Sequence, residues 1–134
     1  MMYIRVIAVG KLKNEYLELQ KEFLKRLGSW NVELVEVEDV KLDSGYFNIL
    51  LDADGKQFSS GEFADFLVKK RDLDAVKVCF VIGGAMGFKD DFKKQFDMLL
   101  SFGKMTFTHQ MVRILLLEQL YRAYAISVGK NYHY

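Results

Sequence analysis

"VKVCFVIGG", residues 76–84, is apolar at all but one of its first seven positions and then breaks into two glycines. An apolar run of that length bounded by glycine reads as a strand buried on both faces, the kind found in the middle of a parallel sheet covered by helices. Upstream, "YIRVIAVG" (3–10) reads as strand one. "LKNEYLELQKEFLKRL" (12–27) sets Leu12, Tyr16, Leu19, Phe23 and Leu27 at steps of three and four on one helical face, and Gly28 follows as a stop. "VELVEV" (32–37) and "YFNILLD" (46–52) read as strands two and three, parted by the polar "EDVKLDSG". "GEFADFLVKKRD" (61–72) reads as a helix with Phe63, Phe66 and Leu67 inward.

Downstream of the central strand, "KDDFKKQFDMLL" (89–100) is expected to be helical through Phe92, Phe96, Leu99 and Leu100. "KMTF" (104–107) should be a short extended piece leading to Thr108, an N-cap residue. The long helix "HQMVRILLLEQLYRAYAISV" (109–128) follows and stops at Gly129. Strands alternating with helices mean a mostly parallel sheet covered on both faces, so the expected architecture is one α/β domain spanning residues 1–134.

Composition narrows the function classes. The 134 residues carry 19 basic and 18 acidic side chains, a net charge of +1, which does not suit a sequence-independent nucleic-acid binder; any RNA contact must be local or shared with a partner. The apolar stretches are far shorter than the roughly 20 residues of a bilayer-spanning helix. "MMYIRVIAVG" lacks the basic region, long apolar core and cleavage site of a signal peptide, so a cytoplasmic protein without membrane contact is expected. The single cysteine, Cys79, lies inside the central strand and reads as a small buried hydrophobe.

For chemistry, "VIGGAMGF" (81–88) runs a buried strand into Gly83, Gly84 and Gly87. Such a stretch is either a pocket floor where backbone approaches a ligand or a tight turn needing positive φ, and spacing alone leaves both open. Strand one ends in "VGKLKN" with one glycine instead of G-x-G-x-x-G, and there is neither a P-loop nor a G-x-S-x-G elbow. His109 and His133 are far apart and Cys79 is mid-strand, so no metal site is expected. On the terminal helix, Glu118 and Arg122 stand four apart while Leu115, Leu116, Leu120 and Ala123 can face a core. Tyr121 and Tyr124 fit core or interface positions, and Tyr132 and Tyr134 around His133 suggest a tail that docks.

"VIGGAMGF" together with "MTFTHQMVRILLLEQLYRAYAISVGKNYH" resembles the large-subunit ribosomal RNA methyltransferase H family, pseudouridine N3-methyltransferases of the SPOUT, or knotted, superfamily. The resemblance is close from Val76 to His133, and "YIRVIAVGK" fits it too. It implies a parallel-sheet α/β/α sandwich closed by a C-terminal trefoil knot, S-adenosyl-L-methionine as cofactor, and a homodimer whose pocket is completed near the partner's tail. The implied reaction methylates N3 of a pseudouridine in large-subunit (23S) ribosomal RNA on the assembled ribosome.

By position, the cofactor would meet Leu51, Gly83, Gly84 and the backbone of Phe102, Gly103, Lys104, Met105, Thr106 and Phe107. The implied catalytic, RNA-facing residues are His109, Arg122, Tyr132 and His133. Of these, His133 could take the acceptor proton, or Arg122 could stabilise negative charge developing on the base. The chain departs from relatives in carrying Gly83-Gly84-Ala85-Met86-Gly87 for Gly-Gly-Pro-Glu-Gly, Thr108-His109 for Pro-His, Tyr134 where a basic residue is usual, and a shorter segment between strands two and three. A member that keeps the knotted dimer and binds ribosome or RNA without methylating is the alternative reading.

Overall fold

The computed structural model of the chain describes residues 1–132. The elements are β1 (Tyr3–Val9), α1 (Asn14–Arg26), β2 (Asn31–Val37), β3 (Tyr46–Gln57), α2 (Ser60–Asp72), β4 (Lys77–Ile82), α3 (Asp90–Lys93), β5 (Met98–Ser101) and α4 (His109–Ser127). The strands form one sheet in the order β2-β1-β4-β3-β5, every pair parallel. β4 takes the centre, flanked by β1 and β3, and all its residues from Val78 to Ile82 are buried. An apolar run with no polar alternation has no solvent face to offer, so it settles where both faces are covered.

Side chains of period two divide the core between the two faces. On one face Ile4, Val6, Val78, Phe80 and Ile49 pack against Leu116, Leu117 and Leu120 of α4, Phe63 and Leu67 of α2, and Phe23 and Leu24 of α1. On the other, Ile7, Leu50, Cys79 and Val81 meet Val40, Leu42, Phe88, Phe96 and Leu99. The layers are unequal, with the three long helices all on the first face. α4 is apolar on most of its circumference because α1, α2 and the sheet each take a side of it. Its start is capped by Thr108, whose hydroxyl accepts the Met111 N–H at 3.3 Å. Its end is closed by Gly129 at φ +74°, with Lys130 N–H donating to Ala125 C=O at 2.8 Å.

β2 and β3 are parallel with two strands between them, yet only residues 38–45 join them. Parallel neighbours ordinarily need a helical crossover of a dozen residues or more. Here the connection must run back along the strands and across three inter-strand spacings, about 25 Å on the diagonal. Nine peptide steps reach about 31 Å at full extension. The segment therefore crosses the second face nearly taut, setting Val40 and Leu42 into it.

Three expectations need correction. Residues 89–100 are not one helix: α3 is a single turn, Asp90–Lys93, and Met98–Ser101 is strand β5 on the sheet edge. Asn48 N–H donates to the Asp97 carboxylate at 2.7 Å while Asp97 N–H donates to Asn48 C=O at 2.9 Å, which starts the pairing of β5 with β3. Residues 104–107 are not one extended piece, since the chain bends at Lys104 and Met105. Leu19, placed on the inner face of α1 by its spacing, is 47% exposed, because only the side carrying Phe23 and Leu24 meets the core.

A candidate active-site cleft at the carboxyl ends of the strands

A cleft of about 740 Å³ opens where β3, β4 and β5 end. That is the edge at which open α/β sheets bind ligands, and the volume lies within the range of small-molecule sites. Its walls come from Leu50–Ala53, where the pairing of β3 with β4 stops, the glycine turn after β4, the connection from β5 to α4, and residues at the start of α1.

The glycine turn forms one side. A Cβ on Gly83 would lie 3.1 Å from the Phe88 ring, and one on Gly84 3.3 Å from Val9 Cγ1. Gly87 turns the chain at φ +63° and donates its N–H to Gly84 C=O at 3.0 Å. The stretch is thus both a tight turn and a cleft wall. The connection after β5 is set by Ser101, whose hydroxyl donates to Gly103 C=O at 2.7 Å and accepts Gly103 N–H at 3.0 Å.

β3 contributes an excursion. Leu51 and Lys56 both register with Leu100, so residues 52–55 loop out of the ladder. Gly55 makes this possible, since a Cβ there would lie 2.6 Å from Leu100 N. Asp52 holds the excursion: one carboxylate oxygen accepts the Asp54 N–H at 2.9 Å and the other pairs with Lys93 of α3 at 2.7 Å. Burial pushes the Asp52 carboxyl up, but the hydrogen bonds from Lys93 and Asp54 outweigh it, and its pKa lies below the ordinary value. The same hydrogen bond raises the Lys93 ammonium. Both residues line the cleft.

Opposite, the start of α4 grips the β1–α1 connection. Gln110, 7% exposed, accepts the Lys13 N–H at 2.8 Å and donates to Lys11 C=O at 2.9 Å. Arg113, 1% exposed, donates to Gly10 C=O at 3.1 Å and pairs with Glu36 at 2.5 Å. His109 lines the cleft, its ring nitrogen 3.3 Å from the Gln110 amide.

At the other end of α4, Arg122 pairs with Glu118 at 3.2 Å and lies 4.8 Å from the Tyr132 ring centroid. Tyr132 also donates to the Glu118 carboxylate at 3.3 Å and meets Tyr121 edge-on at 4.6 Å. Burial, then the Glu118 charge, raises its pKa. The tail therefore docks on its own helix as far as Tyr132.

Among known families, residues 38–133 match the one described as "Predicted SPOUT methyltransferase". The chain belongs to the SPOUT methyltransferases. Curated relatives of this SPOUT chain include proteins named "Ribosomal RNA large subunit methyltransferase H". Those from Pelotomaculum thermopropionicum and Carboxydothermus hydrogenoformans are 39% and 37% identical, with 100% and 98% of this chain aligned to 100% and 99% of theirs. The first alignment runs over 160 positions, 26 more than this SPOUT chain has residues. A solved structure of a probable methylase family protein from Haemophilus influenzae superposes with a TM-score of 0.67 at 13% identity, covering 99% of this chain and 71% of that one, a likeness of fold. The parallel α/β sheet with its flanking helices is thus a SPOUT fold, and the implied trefoil knot is consistent with it.

In this SPOUT fold the cleft brings together Leu51, Gly83, Gly84, Phe102, Gly103, Met105, Thr106, Phe107 and His109. Lys104 shares their connection but is exposed and does not line the cleft. Arg122 and Tyr132 do not line it either: thirteen residues along α4 from His109 amount to about 20 Å. His133 and Tyr134 lie outside the described residues. Asp52, Lys93, Gln110 and Arg113 were not singled out by sequence reading. Among the described residues no group of His, Cys, Asp or Glu could hold a metal ion, and no helix is long and apolar enough to cross a membrane.

Proposed function

We propose that this SPOUT methyltransferase transfers a methyl group from S-adenosyl-L-methionine to N3 of a pseudouridine in large-subunit ribosomal RNA, acting as a homodimer on the assembled ribosome in the cytoplasm. The observation that carries this reading is the cleft itself, walled by Leu51, Gly83, Gly84 and the connection after β5, in a chain 37–39% identical to full-length relatives named as large-subunit ribosomal RNA methyltransferases.

The cleft's residues fit such a ligand. Apolar side chains and backbone groups make up much of the wall, no thiol lines it among the described residues, and of its two lysines Lys93 is held by Asp52 while Lys13 is exposed. The bound cofactor supplies an electrophilic methyl group. The chain's task is alignment: the glycine wall and the Ser101–Gly103 turn restrict where a ligand can lie, and His109, which lines the same cleft, is the residue proposed to face the acceptor base. The acceptor N–H must also lose its proton, which assigns general-base work to His133 or charge stabilisation to Arg122. With Arg122 about 20 Å from His109 along α4, a second copy is the route by which it reaches a cleft, and this favours the homodimer.

Mass mapping of pseudouridine methylation in large-subunit RNA tests the proposal. Cells lacking the gene should lose one methylated pseudouridine, and an unchanged map would remove the assigned reaction. Calorimetry with S-adenosyl-L-methionine separates an active enzyme from a member that binds RNA without methylating, for which no cofactor binding is expected.

A further inference from the structure

The connection Gly10–Lys13 is fixed at most of its backbone groups. Gly10, at φ +86°, donates its N–H to Val37 C=O at 3.0 Å, and its C=O accepts from Arg113 at 3.1 Å. Lys11 C=O accepts from Gln110, Leu12 N–H donates to the Glu36 carboxylate at 3.3 Å, and Lys13 N–H donates to Gln110. The holding groups come from remote parts of the chain, and two of them, Gln110 and Arg113, are buried polar side chains. Burying a guanidinium, here with Nε left without a partner, costs free energy that an ordinary surface turn would not require.

What this rigid edge presents to solvent is cationic. Lys11 and Lys13 are both exposed, and neither forms an ion pair among the described residues. Lys13 lines the cleft, with Tyr16 and the acidic Glu15 beside it. Loops with loosely held lysines bind phosphate with a loss of conformational entropy; a loop whose backbone is already fixed loses less.

We propose that Gly10–Lys13 is a preorganised phosphate-contacting edge that seats the RNA backbone at the rim of the cleft, with Lys11 and Lys13 as contacts and Gln110 and Arg113 as positioning residues. This rests on the reading of the cleft as an RNA methyltransferase site. Phosphate contacts set register without reading sequence, so the edge orients the target strand and leaves base choice to other groups.

The experiment measures binding of the full chain to ribosomes as a function of salt, for wild type, K11Q, K13Q, the double variant and Q110A. Each lysine replacement should lower the slope of log affinity against log salt by about 0.7 to 0.9, and in K11Q, whose lysine does not line the cleft, S-adenosyl-L-methionine affinity should stay within about twofold. Q110A should weaken ribosome binding with the slope retained, and should speed amide exchange at Lys13. Wild-type binding with slopes unchanged in K11Q and K13Q would overturn the assignment and leave the methyltransferase reading standing. Absence of ribosome binding by wild type would overturn both.

Discussion

Asp52 and Lys93 meet at 2.7 Å inside the cleft, joining the β3 excursion to the single turn of α3. Because Asp52 also holds the Asp54 N–H, the pair fixes the shape of a wall that neither residue could hold alone. Lys93→Met should weaken S-adenosyl-L-methionine binding several-fold, read by calorimetry, with a stability loss of about 1 kcal/mol. The pH dependence has a definite sign. The Asp52 pKa is lowered in the folded state, so its contribution is present above the unfolded value of about 4 and is lost as pH falls through the folded one. The Lys93 pKa is raised, so its share is present below about 10.4 and is lost as pH rises through the folded value. Wild type should lose this stabilisation at both extremes, and Lys93→Met should show a flatter stability profile there.

Gly83→Ala places a methyl 3.1 Å from the Phe88 ring, and Gly84→Ala places one 3.3 Å from Val9. Neither glycine has a positive φ, so the backbone tolerates alanine and the effect is confined to crowding at the cleft wall. Both variants should unfold within a few degrees of wild type, while cofactor affinity falls about tenfold or more. A variant with unaltered affinity would show that the ligand does not approach this wall.

Gly28 sits at φ +62° beneath Tyr124, and an added Cβ would lie only 2.6 Å from the ring carbon Cζ. Gly28→Ala combines backbone strain with a clash in a ring already held edge-on by Trp30 at 5.6 Å. The expected loss is about 2 kcal/mol or more, measured by urea unfolding. Tyr124→Phe should give little rescue, because Cζ remains in place.

Arg113→Met removes a cation that is 1% exposed and strips partners from Glu36 and from Gly10 C=O. A cost of about 3 kcal/mol is expected. Adding Glu36→Gln should recover part of it, since the carboxylate is then no longer left without its cation; a double-mutant cycle reads the coupling.

The Cys79 thiol is buried in β4, and burial pushes its pKa up to about 11. Alkylation by iodoacetamide at pH 8 should therefore be negligible in the native protein and rapid in denaturant.

The central strand was legible because nothing in Val78–Ile82 suits a solvent face, and the caps of α4 were legible because Thr108 and Gly129 act through local hydrogen bonds. β5 was not. Phe92, Phe96, Leu99 and Leu100 have helical spacing, and Met98–Ser101 becomes a strand only through β3, some fifty residues upstream, which registers with it. The glycine wall and the connection after β5 stood out as motifs, whereas Arg113 acts through Glu36 and Gly10, 77 and 103 residues away. Asp52 and Lys93 are joined only by the loop-out of β3, which depends on Gly55 passing close to Leu100. Patterns of local period cannot report such pairings.

The span from Val37 to Tyr46 has a consequence for how this chain can vary. With about four fifths of its reach already used, the segment leaves room for the loss of one residue at most: two residues fewer would give about 24 Å of chain for about 25 Å of path. Lengthening meets no such barrier, and relatives align over as many as 160 positions against 134 residues here. Insertion and deletion at this place are not mirror images.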